Sequence, residues 1–163
     1  MSEAPLVDDA GAMALALAEA RAAGDAGEIP VGAVVVLDGQ VLGRAGNRRE
    51  AHGDPTAHAE VLALRQAAGA VGSWRLDGAV LYVTLEPCPM CAGAAVASRL
   101  RRVVYGAANV EAGACGTLYN LCADPRLNHE VEVAGGLQAE AAGALLTEFF
   151  ARRRDPGGPL DPP

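Results

Sequence analysis

The stretch "AVLYVTLEP", Ala79 to Pro87, most constrains how this chain can fold. Its apolar, β-favouring side chains lack polar alternation, so as a strand it must be covered on both faces, inside a sheet flanked by helices. The flanking segments supply those helices. Asp9 to Ala23 is Ala-rich, with Met13, Leu15 and Leu17, and reads as a helix. "VGAVVVLDGQVLGRAGN" holds two β-rich runs around Asp38-Gly39, a dipeptide that favours a tight hairpin. A loop from Arg48 to Thr56 then leads to helical spacing over Ala57 to Ala70. "CPMCAGAAVASRL" from Cys88 reads as a small-residue helix and "RRVVYGA" as a short strand. "HEVEVAGG" reads as a strand or extended segment, and Leu137 to Arg153 as an amphipathic helix with Leu145, Leu146, Phe149 and Phe150.

After the first helix the order is β-β-α-β-α-β. The β-α-β stretches require parallel crossovers while the hairpin is antiparallel, which predicts a three-layer α/β/α domain with a central mixed sheet. At 163 residues the chain has the size of one domain. Residues 1–154 are expected to form it, and the tail "DPGGPLDPP", 155–163, is expected to be disordered because Pro, Gly and Asp dominate it. With 51% hydrophobic but 4% aromatic residues, the core must be largely Ala, Val and Leu.

A net charge of −7 argues against a generally basic surface. Nucleic acid would have to be met by local patches, for which Arg48-Arg49, Arg101-Arg102 and Arg152 to Arg154 are candidates. There is no basic segment leading into an apolar leader, and no apolar run reaches the roughly 18 residues a membrane span needs. The chain reads as cytoplasmic, without a membrane partner. Cys115 and Cys122 fit small buried residues, whereas the close pair Cys88 and Cys91 calls for chemistry.

Cys88 and Cys91 stand at i and i+3 at a helix start, where both thiols share a side and the helix N-terminus favours thiolate. Alone, the pair fits half a structural zinc site, a redox pair or two core cysteines. A structural site wants four protein ligands, and no second Cys-x-x-Cys or His pair is present. His58, also at a helix start after a loop, supplies a third ligand if both helix N-termini meet at one sheet edge. Three ligands leave a position for water, and a carboxylate two residues from the histidine, Glu60, can take that water's proton. His-x-Glu followed by Pro-Cys-x-x-Cys, here His58, Glu60, Pro87, Cys88 and Cys91, is the pattern of zinc nucleobase deaminases.

With those residues in place, the chain resembles the cytidine-deaminase superfamily and, within it, the bacterial tRNA-specific adenosine deaminases. The resemblance runs from "EIPVGAVVV" through Asn47, "DPTAHAE", "ALRQ", "LYVTLEPCPMCAGA", "RVVYGA" and "LNHEVEV" to "EFFARRR". It implies the cytidine deaminase-like fold and one Zn2+ per subunit held by His58, Cys88 and Cys91. The activity it implies is hydrolytic conversion of adenosine to inosine at the wobble position of an arginine tRNA, with Glu60 moving protons. It also implies that Asn47 hydrogen-bonds the base or ribose, that Ile29 and Pro30 wall the pocket, and that the Ala59 backbone meets the base edge. Phe149, Phe150 and Arg152, Arg153 and Arg154 are implied to contact neighbouring anticodon-loop nucleotides, within a homodimer. Stacking of flipped bases on apolar groups, with Arg at their phosphates, agrees with that placement.

"DPTAHAE" and "EPCPMC" equally resemble bacterial guanine deaminases, so a free base or nucleoside is the rival substrate. "TLEPC", "AGACGTLYN", "NHEVEV" and "EFFARRR" favour tRNA. A non-catalytic zinc-stabilised RNA-binding module is the remaining alternative. Two departures from the family's pattern stand out. Ala107, Ala108, Asn109 and Val110 replace a stretch that commonly carries charge, leaving Asn109 as the hydrogen-bonding group, and the tail is acidic and Pro-rich where relatives are often basic.

Overall fold

The computed structural model of the chain describes residues 4–154, so the tail expected to be disordered lies outside the described residues. The strands are β1 (Gly32–Leu37), β2 (Gln40–Gly46), β3 (Val80–Leu85), β4 (Arg102–Ala107) and β5 (Glu132–Gly135). The helices are α1 (Asp9–Asp25), a single turn α2 (Arg49–His52), α3 (Ala59–Val71), α4 (Pro89–Ala97) and α5 (Ala139–Arg153). One sheet runs in the order β2-β1-β3-β4-β5. β1 is antiparallel to β2 and β3, while β3, β4 and β5 are mutually parallel, giving the mixed sheet that the element order predicts.

The hairpin turns where expected: Asp38 and Gly39 adopt φ of 50° and 78°, the left-handed pair that a tight two-residue turn requires. α3 then carries the chain from β2 past β1 to β3, and α4 joins β3 to its parallel neighbour β4. No α-helix joins β4 to β5; that connection holds only a 3-10 turn at Leu121–Ala123.

Alternation along the strands splits the core in two. Ala33, Val35, Leu81, Val83 and Val103 pack with α3 and α4, whereas Val34, Val36, Val80, Tyr82 and Val104 pack with α1 and α5. The sheet is therefore covered on both faces, as "AVLYVTLEP" demands. The low aromatic content is matched by close approach of the layers. A Cβ at Gly32 would lie 1.9 Å from the Ala16 carbonyl oxygen of α1, and one at Gly43 would lie 2.3 Å from that of Ala63 in α3.

Local boundaries differ from expectation for identifiable reasons. α3 starts at Ala59 rather than Ala57, because the Thr56 amide and hydroxyl both donate to Asp54 Oδ1 at 2.8 Å and close a turn ahead of it. The loop from Arg48 to Thr56 contains the unexpected turn α2, whose Glu50 and Ala51 amides each donate to the buried Glu28 carboxylate at 2.9 Å. Cys115 and Cys122 are buried, with their sulfurs 3.7 Å apart. Among the described residues, no helix is long and apolar enough to cross a membrane.

Candidate active site

α3 and α4 follow the parallel-running strands β2 and β3, so both helix N-termini open at one edge of the sheet. His58 and Cys88 occupy the two N-cap positions, where neither side chain caps the helix, and Pro89 starts α4. Their side chains are thus free to turn toward each other. Cys91 lies in the first turn of α4 and joins them.

His58 Nδ1 lies 3.6 Å from Cys88 Sγ and 3.5 Å from Cys91 Sγ. Tetrahedral zinc, with Zn–S near 2.3 Å and Zn–N near 2.0–2.1 Å, sets its ligand atoms about 3.6 Å apart. All three ligand atoms fall within 4.8 Å of one another, so the donor set fits the ion in type and spacing. Charge is shared across the trio. The Cys91 hydrogen bond, then that of His58, pulls the Cys88 thiol down to about 4 against the opposing effect of burial. The contact with Cys88 and then burial push Cys91 upward, and the contact with Cys88 raises His58 despite burial.

Glu60 lies in the first turn of α3, only 4% exposed. Burial pushes its carboxyl upward, opposed chiefly by its own backbone amide and by His58. A buried carboxyl beside three side chains that could hold a metal is placed where a proton carrier would act.

His58, Glu60 and Cys88 line a cavity of about 120 Å³ with Ile29, Asn47, Ala59, Glu86 and Asn109. That is below the roughly 300–1,000 Å³ of pockets for drug-sized ligands, and suits one small planar group. Asn47 Oδ1 accepts from the Arg49 amide at 3.2 Å. Asn109 Oδ1 accepts from the Glu111 and Ala112 amides at 3.2 and 3.0 Å. Both asparagines therefore have their amide nitrogens left to donate.

Pro30 does not line this cavity; it borders a cleft with Arg21, Leu145, Phe149 and Arg152. Phe149 is 8% exposed and Phe150 39%, so α5 turns the first toward the core and the second outward. The Arg153 guanidinium sits 4.3 Å over the Phe149 ring and donates to the Gly27 carbonyl at 2.7 Å, close in sequence to Ile29. Arg152 faces Glu148 at 3.9 Å on the surface, and Arg154 is exposed. The sequence reading missed Glu28 and Glu86. Glu86 carried a signal: an acid directly after a fully buried strand has to find donors.

Residues 7–154 match the MafB19-like deaminase family model. The chain is 50% identical over 139 residues to a tRNA-specific adenosine deaminase of Bacillus subtilis, covering 85% of this chain and 86% of the relative. It superposes with a TM-score of 0.80 and 47% identity on a structure from studies of A-to-I editing by tRNA:A34 deaminases at the wobble position of transfer RNA, over 83% of this chain and 98% of that one. A guanine deaminase from Nitrosomonas europaea is also similar, at a TM-score of 0.78 and 27% identity, over 92% and 89% of the two chains.

Proposed function

The chain belongs to the tRNA-specific adenosine deaminase family, with the MafB19-like deaminase domain over residues 7–154, and from that premise we propose that it converts adenosine to inosine at the wobble position of an arginine tRNA. The observation that carries this reading is the buried Glu60 beside the His58, Cys88 and Cys91 trio, on the wall of a cavity sized for a single base. Identity is 47% to the tRNA:A34 deaminase structure, against 27% to the Nitrosomonas europaea guanine deaminase and 38%, over 64% of this chain, to that of Bacillus subtilis, which favours tRNA over a free base.

His58, Cys88 and Cys91 would hold one Zn2+ per subunit. When bound, the ion acts as a Lewis acid that lowers the pKa of water to about 7. Glu60 takes a proton from the attacking water and places it on N1 of the adenine as oxygen adds at C6. The carboxylate then moves the proton of the new hydroxyl to the departing amine, leaving the C6 carbonyl of inosine and ammonia. Asn47 and Asn109 donate to the nucleoside, while Ile29 and the Ala59 backbone confine the ring. The outward Phe150 and the basic end of α5, at Arg152 and Arg154, lie on the surface offered to neighbouring loop nucleotides. Phe149 and Arg153 act beneath them, and Pro30 acts through that same cleft. A homodimer working on the cytoplasmic tRNA pool completes the reading.

The test is direct: purified zinc-loaded protein is given arginine tRNA and, separately, guanine, and ammonia is measured. Release from tRNA alone is expected; release from guanine alone would replace the substrate while leaving the chemistry intact.

A further inference from the structure

Glu86 is a second buried acid in the cavity wall, and the deamination chemistry gives it no part. It is 1% exposed, directly after β3. Its Oε1 accepts from the Asn109 amide at 3.2 Å, and its Oε2 accepts from the Cys115 and Thr117 amides at 3.1 Å each. The Thr117 hydroxyl also donates to it. These donors mark out the loop from Asn109 to Thr117, which has no regular secondary structure to hold it.

The loop is wrapped closely around the carboxylate. The Gly113 amide donates to the Asn109 carbonyl at 2.9 Å. A Cβ at Gly113 would lie 2.5 Å from both that oxygen and Glu86 Oε2. Asn109 is therefore fixed twice: Glu86 holds its backbone, and the Glu111 and Ala112 amides occupy its side-chain oxygen. What remains for the cavity is its amide nitrogen, a donor only.

We infer that Glu86 is a positioning residue that holds the Asn109–Thr117 loop so that the Asn109 side-chain amide is presented to the substrate as a hydrogen-bond donor. The inference rests on the deaminase reading of the same cavity. The charge and both oxygens matter here, because a glutamine would turn an NH2 group toward converging N–H donors.

Glu86→Gln, Thr117→Val, Asn109→Ala and the Glu86→Gln/Asn109→Ala double variant test it, with zinc content, amide hydrogen exchange and kinetics on an anticodon stem-loop as readouts. Zinc content should stay unchanged, and the 109–117 amides in Glu86→Gln should exchange at least about tenfold faster. KM should rise about tenfold with kcat altered less than about threefold. In the Asn109→Ala background the same change should raise KM by less than about twofold, because both substitutions remove one interaction. Glu86→Asp should recover part of the loss. Unchanged exchange and KM, or multiplying effects in the double variant, would overturn the inference.

Thr117→Val alters an exposed residue and carries the test if Glu86→Gln fails to fold; it should raise KM about threefold and speed exchange of the same amides. If the wild type acts on guanine instead, the same series is read on guanine, and hydrogen exchange requires no substrate. Failure of the tRNA reading is thereby distinguishable from failure of this one.

Discussion

His58 Nδ1 and Cys91 Sγ lie 3.5 Å apart although 33 residues separate them in the chain. Two helix starts bring this about. Each helix follows one of two parallel-running strands, and each begins with a side chain that forgoes capping and is left free to meet the other. Removing a ligand should therefore remove the ion and leave the sheet. In Cys91→Ser, metal analysis should find zinc content reduced from one per chain to near none, with circular dichroism little changed. Chelation of the wild type should abolish turnover, and added zinc should restore it.

Glu60 is assigned the protons and none of the ligation. Glu60→Gln keeps the shape of the side chain and removes the carboxylate. It should retain one zinc per chain while turnover falls by about 10²–10⁴-fold in single-turnover assays. A parallel loss of zinc would move Glu60 into the ligand set.

Tyr82 ties β3 to the first turn of α1 by donating to Asp9 Oδ1 at 2.5 Å. Burial, then the Asp9 carboxylate, push the phenol up to about 12. The raised folded value means its contribution is complete below the unfolded pKa near 10 and is lost as pH rises from there to about 12. The tyrosine hydrogen bond, followed by opposing burial and then Arg102, holds Asp9 below the usual carboxylate range, so its contribution is lost as pH falls. Denaturant melts should find Tyr82→Phe less stable by about 1 kcal/mol at neutral pH. The gap to wild type should close between pH 10 and about 12.

Gly32 is required by the approach of α1 to β1. In Gly32→Ala the new methyl meets a backbone oxygen at 1.9 Å, which can be relieved only by moving the helix. Thermal melts should show a loss of about 3 kcal/mol. Gly69→Ala, on the open side of α3 with nothing within 4 Å, should instead stabilise by roughly 0.5–1 kcal/mol.

The buried strand, the hairpin and the helical periods were legible because each is a local pattern, and together they fixed the layers. The meeting of His58, Cys88 and Cys91 was legible because two helix starts on one sheet edge follow from the element order. α2 was not, since its amides are satisfied by Glu28 from 22 residues away. Which of Phe149 and Phe150 turns inward depends on the phase of α5, which starts at Ala139 and not at Leu137. Glu86 signalled a need for donors, but which ones it finds was not legible, since they lie 23 to 31 residues further along the chain.

The central claim is that the cavity deaminates one base of a tRNA. Mass spectrometry of nuclease fragments of unmodified arginine tRNA after incubation with the zinc-loaded protein tests it most directly, with Glu60→Gln as the control. The account predicts inosine at the wobble position alone, and none with the variant. Unchanged tRNA together with ammonia released from free guanine would contradict it.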